Sequence, residues 1–364
     1  MNFSESIKSN SFLVTTELES CCPDDVFDAI KSANSFIGLV NAIVVSDELQ
    51  YQSKISSLAA SHLLKDSGLD PIVHISCNGK NKKNLEVFIL TAWMMGIKNL
   101  CITSETISDR KTKTEPTGST EVTAFQLINL INRLREGKDF SNKKIREKPN
   151  FTIGTFLDLS NNNIDYYHET IKQKIKAGID FIITTPLHSI SQIEDLAKDK
   201  NIEESGVKII AGILPILSLE AAKEVNRTNH KKPILIDTIE RLEKAKNPEI
   251  EGIHIAAELI KQAKNKVSGL HLIASKKYIQ KILKLSDTNY TPSMTILKEE
   301  KDIQKLSHIF EGKLSLKDLE KAYIIRVLKN NRGNKCSTAE ALGIHRNTLM
   351  RKCQEYNINI KFFN

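Results

Sequence analysis

Residues 166–186 read YYHETIKQKIKAGIDFIITTP, and this stretch contains one complete unit of the pattern that decides the fold. Its first part, YYHETIKQKIKAG, has apolar residues at helical spacing and ends at a glycine, as helices commonly do. Its last part, FIITTP, is a short apolar and β-branched run, which is typical of a strand buried on both faces. The stretch therefore predicts a helix that leads directly into a buried strand.

The same unit recurs along the chain, and two more helical segments, QSKISSLAASHLLKDSG (52–68) and TAFQLINLINRLREG (123–137), also end at glycine. The β-branched runs are FLVTTEL (12–18), NAIVVSD (41–47), PIVHISC (71–77), NLCITSE (99–105), FTIGTFL (151–157), FIITTP (181–186), KIIAGILPI (208–216) and GLHLIAS (269–275). Eight strands, each followed by a helix, indicate a parallel sheet covered by helices, and a closed (β/α)8 TIM barrel fits best. An open doubly wound sheet is the alternative, but no GxGxxG or GxxxxGK[ST] follows any of these strands.

The chain has 364 residues and a formal net charge of +8, and most of that charge lies at one end. From Leu314 to Asn364 there are ten Lys and Arg against four Asp and Glu, so this segment carries +6 and the preceding 313 residues carry +2. The basic excess is therefore local, which favours a polyanionic partner for the tail. A solvated, lysine-rich surface is the alternative interpretation.

The cysteines and the hydrophobic runs exclude several classes of protein. Six cysteines lack the paired CxxC spacing of a zinc site and are scattered through a long chain, so we expect reduced thiols and no metal. No apolar run approaches the ~20 residues that a membrane span needs, and the start, MNFSESIKSN, is not a signal peptide. These features predict a cytoplasmic protein without membrane contact.

The domain boundaries follow from composition. We expect a barrel over residues 1–285, a polar connector over 286–313 with one short helix, KDIQKLSHIF, and a small all-α domain over 314–364. The longest insertion in the barrel, TISDRKTKTEPTGSTEV (106–122), follows the fourth strand, on the face where such barrels carry chemistry. A solvated loop and a ligand lid are equally consistent with this insertion.

Collinear motifs of the barrel resemble methylenetetrahydrofolate reductase, a flavin-dependent (β/α)8 enzyme of one-carbon metabolism. The resemblance runs from about Phe12 to Lys284 and is carried by VTTEL, DPIVHISC, MGIKNLCIT, INRLREGKDF, KIKAGIDFIIT, AGILPILSLEAAK, ERLEKAKNPEIEGIHIAAELI and VSGLHLIAS. It implies FAD bound without a Rossmann domain, NADH or NADPH as reductant, a folate-type substrate and a role in methionine biosynthesis.

The resemblance assigns the catalytic acid to Glu17, at the end of the first strand. In the family, protonation near N5 of the folate opens a five-membered ring to an iminium that accepts hydride from the reduced flavin. An apolar barrel mouth would raise the pKa of such a glutamate by desolvation, which suits a proton donor. A glutamate tethered to a lysine, or simply exposed, is the alternative.

The resemblance also implies ligand contacts, and the chain departs from the family at several of them. Cofactor contacts are implied for Ser46, His74, Thr103, Ser104, Glu105 and Lys174, and substrate contacts for Thr185 and Leu219. The resemblance aligns Asn78–Asn81 with a family Arg-Asp-Arg-Asn. It aligns Thr103, Ser104 and Glu105 with a family Thr or Arg followed by Gly-Asp, and Thr185 with the glutamine that holds the pterin. An unpaired buried polar partner costs ~1–3 kcal/mol, so these changes indicate altered ligand preference or impaired catalysis.

The tail resembles the Fis-type helix-turn-helix of bacterial regulators over about Leu314–Ile358. Its second helix, from about His345 to Glu355, is ~16 Å long and fits a major groove. Arg346 and Asn347 are placed for base edges, and Thr348, Arg351 and Lys352 for phosphates. The predicted core is Ala339, Leu342, Ile344, Leu349 and Cys353, with Gly343 in the turn. A helical cap on the barrel or on a dimer is the alternative.

Two hypotheses follow from these patterns. The first is a flavin-dependent reductase fused to a domain that binds duplex DNA, acting as a homodimer because one short helix makes few contacts. The second is a catalytically altered or inactive barrel that senses a metabolite and regulates transcription through the tail.

Overall fold

The computed structural model describes residues 2–9, 11–18, 26–46, 56–77, 80–103, 122–158, 164–228, 234–286, 316–331, 333–356 and 358. The chain divides into two compact units, Met1–Met294 and Thr295–Asn364, and we describe each by itself. The predicted insertion up to residue 121, and the predicted connector with its short helix beyond residue 286, lie outside the described residues.

The first unit is a closed barrel of eight parallel strands, which confirms the predicted fold class. The strands are β1 (Leu13–Glu17), β2 (Ala42–Ser46), β3 (Pro71–Ser76), β4 (Asn99–Thr103), β5 (Thr152–Leu157), β6 (Phe181–Thr184), β7 (Lys208–Ile213) and β8 (Gly269–Leu272). Each strand pairs with its neighbour in sequence, and the barrel closes where Leu13 of β1 lies opposite Gly269 of β8. Each of these strands lies within a run that the sequence predicted.

Twelve described helices belong to this unit; the first closes one end of the barrel, and helices from the connections between strands cover its outside. The twelve are α1 (Phe3–Lys8), α2 (Val26–Asn34), α3 (Ser57–Asp66), α4 (Lys82–Met94), α5 (Ala124–Glu136), α6 (Ile164–Lys176), α7 (Ile190–Ala197), α8 (Lys200–Ser205), α9 (Leu219–Thr228), α10 (Ile236–Lys244), α11 (Pro248–Ala263) and α12 (Lys276–Leu285). Local sequence sets their ends: α5 begins at a capping box of Thr123 with Gln126 and ends at Gly137, which has a φ of 93°.

The amino-terminal end of the barrel, which we call the floor, is closed by α1 and by the interior side chains of Leu13, Ile72 and Phe181. The Phe3 ring meets the Phe181 ring edge-on, with the ring centroids 5.1 Å apart. A Cβ at Gly154 would lie 2.3 Å from the Phe181 ring, so β5 needs glycine at this position. The floor is therefore a packed, apolar plug.

One buried carboxylate anchors α1 to the floor. The Phe3 backbone N–H donates to Asp70 Oδ2 over 2.7 Å. Burial raises the pKa of Asp70, and the hydrogen bond from Phe3 opposes that shift. The helix α1 was not predicted from the sequence, although a capping box of Asn2 with Glu5 marks its start.

The second unit contains three described helices, α13 (Leu316–Asn330), α14 (Lys335–Ala341) and α15 (Arg346–Glu355). All five predicted core residues pack together, joined by Ile324, Leu328 and Tyr356. Gly343 has a φ of 64°, which confirms a left-handed residue in the turn between α14 and α15. These helices form the predicted helix-turn-helix domain.

Among the described residues, no helix is long and apolar enough to cross a membrane.

Candidate functional site

The carboxyl ends of the strands form the other end of the barrel, and we call the inward-facing residues Glu17, Ser46, His74, Thr103, Phe156 and His271 the mouth. Side chains alternate along a strand, so Glu17 faces inward like Leu13, which lies four residues earlier in the interior cluster. In a (β/α)8 barrel, catalytic residues come from this end. The mouth is therefore the candidate site.

Three residues that the sequence analysis assigned to cofactor binding form one hydrogen-bonded group in the mouth. His74 Nε2 lies 2.9 Å from Thr103 Oγ1, and His74 Nδ1 lies 3.3 Å from Ser46 Oγ. The three residues lie on the adjacent strands β2, β3 and β4. The sheet register places Ser46 opposite His74, and it places Thr103 opposite Ser76, two residues after His74. The tertiary structure thus brings together three residues that are up to 57 positions apart in sequence (103 minus 46).

His74 is neutral at physiological pH. The side chain is 2% exposed, and burial lowers its pKa to about 4, with a smaller contribution from the nearby positive charge of Lys80. A neutral imidazole has one donor and one acceptor nitrogen, so it can donate to one hydroxyl and accept from the other. The group therefore presents oriented hydroxyls at the mouth without introducing a charge.

Glu17 lies at the end of β1, next to a second buried histidine. Its Oε2 is 3.9 Å from Nε2 of His271, which lies on β8 and is 1% exposed. The other His271 nitrogen, Nδ1, is 3.0 Å from Thr15 Oγ1. The Glu17 side chain is 49% exposed, so the enclosed apolar environment that we expected around the acid is not present.

An aromatic ring lies between the two histidines. Phe156, on β5, meets His74 at a ring-centroid distance of 4.9 Å and His271 at 6.2 Å, with interplanar angles of 72° in both cases. Edge-to-face contacts of this kind orient the rings relative to one another. The mouth thus has polar groups on both sides of an apolar centre.

Lys174 lies behind the mouth, between the sheet and the helices. Its Nζ donates to Thr155 Oγ1 over 2.9 Å, and Thr155 Oγ1 also lies 2.7 Å from the carbonyl oxygen of Ile102. Thr155 precedes Phe156 on β5 and therefore faces the opposite side of the sheet. This buried ammonium ties α6 to β5, and its predicted contact with a cofactor stays a prediction.

The remaining residues assigned from sequence have different positions. Thr185 follows β6 directly, and its backbone N–H donates to Leu157 O over 3.0 Å. Leu219 begins α9 and packs against an apolar cluster that includes Ile216 and Ala222. Ser104 and Glu105, like Asn78 and Gly79, lie outside the described residues.

Sequence reasoning missed two members of the mouth, His271 and Phe156. Both lie in runs that were recognised as strands, GLHLIAS and FTIGTFL. Inward orientation could have been inferred from alternation along β8 and β5, but not the distance between them. The two residues are 115 positions apart (271 minus 156), and only barrel closure brings them together.

The described residues bear on two other kinds of reactive group, metal centres and thiolates. They contain no group of three or more His, Cys, Asp or Glu residues that could hold a metal ion. Burial raises the pKa of Cys77 to about 12 and also raises the pKa of Cys101, so both remain protonated thiols at neutral pH. Within this part of the chain, neither a metal centre nor a thiolate of these two residues is available.

The second candidate site is the surface of α15. The side chains of Arg346, Asn347 and Arg351 are exposed, and Thr348 is partly exposed. Lys352 is different, because its Nζ lies 2.6 Å from Glu320 Oε1 on α13. The Tyr356 hydroxyl donates to the same carboxylate. Both contacts lower the pKa of Glu320, and the contact with Lys352 has the larger effect. A phosphate contact by Lys352 would compete with Glu320.

Two family models match the sequence in non-overlapping segments. The model of methylenetetrahydrofolate reductase matches residues 40–287, more than half of the chain. The model of the bacterial regulatory protein, Fis family, matches residues 315–356. None of the curated proteins searched matches the sequence.

Solved structures show similarity at the level of the fold. An uncharacterized protein from Clostridium thermocellum that binds two copies of 5-methyl-5,6,7,8-tetrahydrofolic acid has a TM-score of 0.52 and 11% sequence identity, covering 78% of this chain and 97% of its own. EDTA monooxygenase from Chelativorans sp. BNC1 has a TM-score of 0.46 and 9% identity, covering 78% of this chain and 96% of its own. At 11% sequence identity, the first similarity shows a shared barrel fold.

Proposed function

The chain belongs to the methylenetetrahydrofolate reductase family, and from this premise we propose that its barrel is a flavin-dependent oxidoreductase acting on a folate-type one-carbon carrier. The observation that carries the proposal is the convergence of Glu17, Ser46, His74 and Thr103 at the mouth of a closed barrel. The folate ligand of the Clostridium thermocellum barrel adds support for the substrate class. A cytoplasmic location is part of the same proposal.

The residues of the mouth fit a flavin ring. The neutral imidazole of His74 and the hydroxyls of Ser46 and Thr103 offer donors and acceptors to the edge of a planar heteroaromatic ring, and Phe156 offers an apolar surface. Lys174 donates to Thr155 behind the sheet, and its contact with a phosphate-bearing arm of the cofactor remains a prediction of the family resemblance. When bound, FAD would supply hydride transfer, with NADH or NADPH as the source of the hydride.

Glu17 is the proposed general acid. Its carboxyl group would donate a proton to the ring nitrogen of the folate that departs when its C–N bond breaks, and the other nitrogen would keep the methylene as an iminium that accepts hydride. Because half of the Glu17 side chain is exposed, water can return the proton between turnovers. The departure at Thr185 lies at a substrate contact that the family resemblance implies, so we expect a carrier that differs from the usual one.

An absorption spectrum of the purified full-length protein, before and after incubation with FAD, tests cofactor binding. Oxidation of NADH with a methylene-folate acceptor tests the reaction. Replacing Glu17 by Gln should lower kcat with the folate acceptor about 10²–10⁴-fold, the usual contribution of a general acid, and should leave flavin content unchanged.

The matched control is Glu204→Gln, which removes an exposed carboxylate from α8, away from the mouth. A colourless protein that cannot be loaded with FAD and does not oxidise NADH would eliminate the reductase proposal. Equal turnover by the two variants would eliminate Glu17 as the acid.

We also propose that the tail binds duplex DNA and that the barrel regulates it as a sensor of a folate or flavin. This second candidate is favoured by the folded three-helix unit with Arg346, Asn347 and Arg351 exposed on α15. A ligand of the barrel would change DNA affinity only if it binds the DNA-competent state with a different affinity. We expect a homodimer, because two α15 helices would provide twice the contacts of one.

Fluorescence anisotropy with labelled duplex DNA, as a function of salt, tests this proposal. The variant with both Arg346→Ala and Arg351→Ala should show a smaller slope of log K against log[salt]. The slope should fall by about 1 for each phosphate contact that is lost. Lys281→Ala, which removes an exposed charge from α12 of the barrel, is the control and should leave the slope unchanged. Binding that is undetectable, or that ignores salt, would refute the DNA-binding proposal.

A further inference from the structure

His271 has a buried nitrogen whose hydrogen bond is missing. Among the described residues, Nε2 of His271 is fully buried and has no hydrogen-bond partner. Buried polar atoms are rarely left in this state, because desolvation without a partner is costly. An orphaned nitrogen in the mouth of a barrel therefore points to a contact that forms during function.

The described residues around His271 indicate a partner for Nε2. On one side, Thr15 of β1 lies against Nδ1 at 3.0 Å. On the other side, the residue opposite His271 on β7 is Gly212, which has no side chain and whose N–H donates to Thr184 Oγ1. Phe156 presents only its ring. Among the described residues, the Glu17 carboxyl places a polar group near Nε2, 3.9 Å away.

The possible hydrogen bonds of the Thr15 hydroxyl also indicate a contact between His271 Nε2 and the Glu17 carboxyl. If the Thr15 hydroxyl donates to Leu270 O, 3.3 Å away, then His271 Nδ1 must donate to Thr15, and in an imidazole that carries one proton Nε2 has a bare lone pair. If Thr15 instead donates to Nδ1, then Nε2 carries the hydrogen. In the first arrangement a protonated Glu17 would donate to Nε2; in the second, Nε2 would donate to one Glu17 oxygen and leave the other oxygen free to carry the proton for the substrate. A rotation of the half-exposed Glu17 side chain would shorten 3.9 Å to hydrogen-bond distance.

We propose that His271 is the positioning residue for Glu17: its Nε2 forms a hydrogen bond with the Glu17 carboxyl and directs the other carboxyl oxygen over the opening of the barrel. The role of Glu17 as an acid rests on the proposed function, but the contact itself does not. Thr15 fixes the imidazole from behind through Nδ1, so the pair is held between β1 and β8.

Two substitutions of His271 separate the roles of its two nitrogens. The amide of Asn reaches the position of Nδ1, whereas the amide of Gln reaches the position of Nε2. His271→Asn should therefore lower kcat for the folate acceptor about 10- to 100-fold, a part of the 10²–10⁴-fold that a general acid supplies, whereas His271→Gln retains most of the activity. Flavin reduction by NADH needs no acid at the folate, so the folate turnover of each variant is expressed relative to its own rate of flavin reduction. Equal folate turnover by the Asn and Gln variants would overturn the proposal.

A second measurement needs neither turnover nor a His271 variant that folds well. In the full-length protein labelled with ¹⁵N-histidine, the Nε2 signal of His271 should shift on Glu17→Gln and stay in place on Glu204→Gln. The signal is identified by elimination, using single substitutions of the other eight histidines. An Nε2 signal that does not respond to Glu17→Gln would overturn the contact. A protein that binds no flavin but shows the shift would refute the proposed reductase and support the contact.

Discussion

The two ends of the barrel are built from the same eight strands, but they bury different kinds of side chain. At the floor, Phe3, Leu13 and Phe181 form an apolar plug in which none of them is more than 1% exposed. At the mouth, His74 and His271 are just as buried, yet they carry polar nitrogens, and the nearby Glu17 is half exposed. The floor gains free energy of folding from packing, whereas the mouth keeps polar groups that contribute little to stability unless each one is paired.

The largest effect on stability should come from the floor. Replacing Phe181 by Ala removes a fully buried ring and leaves a cavity beside Phe3, so we expect a loss of about 3–5 kcal/mol in the free energy of unfolding. Urea unfolding monitored by the fluorescence of Trp93, the single tryptophan of the chain, reports on the barrel alone.

Met94→Ala is the control, because that side chain is 85% exposed and its removal should cost less than about 0.5 kcal/mol. A Phe181→Ala protein as stable as the control would show that the floor is not a packed plug. The contrast between the two ends of the barrel would then disappear.

An effect of about 3 kcal/mol should come from the mouth, and only in acid. The pKa of His74 is about 4 in the folded chain against a usual 6.5, so between these values the unfolded chain binds a proton that the folded chain does not. Its contribution to stability is therefore complete above pH 6.5 and is lost as the pH falls towards 4, which amounts to about 3 kcal/mol. His74→Gln, which cannot titrate in this range, should lack this part of the pH dependence.

Urea unfolding at pH 7 and pH 4 measures this difference. His62→Gln, at a side chain that is 47% exposed, is the control and should keep the acid sensitivity of the wild type. If His74→Gln and wild type lose the same free energy between the two pH values, His74 is not buried as a neutral residue.

The smallest effect should come from the start of α1. Asn2→Ala removes the acceptor of the Glu5 N–H, at 2.9 Å, and should cost about 1 kcal/mol. Because this cost falls on the docking of α1, we expect the exchange of the α1 amide hydrogens to speed up by about fivefold. Mass-spectrometric hydrogen exchange of the amino-terminal peptide measures it.

The matched control is Asn81→Ala, which removes the corresponding cap of α4, where Asn81 accepts from Asn84 N at 2.9 Å. That substitution should leave exchange in α1 unchanged. If it accelerated exchange in α1 as much as Asn2→Ala does, the floor and the helix layer would not be independent.

The fold could be predicted because its signals are local. Each strand is a short β-branched run, and helix ends such as Gly137, with its φ of 93°, are marked by a residue type that a left-handed backbone requires. The same holds for the tail, where Gly343 and the five apolar core positions behave as expected. The plug formed by α1 was missed because a six-residue helix is too short to show a periodicity.

The candidate site could be predicted only in part. Ser46, His74 and Thr103 were named separately, each from its match to a family position, and the structure places them in one hydrogen-bonded group. The surroundings of Glu17 were predicted as apolar and enclosed, whereas the side chain is 49% exposed beside a buried histidine. His271 and Phe156 were not named at all, because nothing in a strand pattern shows which inward residues of distant strands will touch.

The amino-acid sequence alone determined the order of strands and helices, the closed barrel, the basic tail and its turn, since these depend on alternation, capping and glycine at fixed offsets. Only the tertiary structure decided which side chains meet at the mouth: the pairing of β1 with β8 brings His271 to Thr15 and Glu17, and β5 places Phe156 between the histidines. The physical reason is that hydrogen bonds and ring contacts act over a few ångströms. The residues that make them are separated along the chain by as many as 256 positions, and only barrel closure removes that separation.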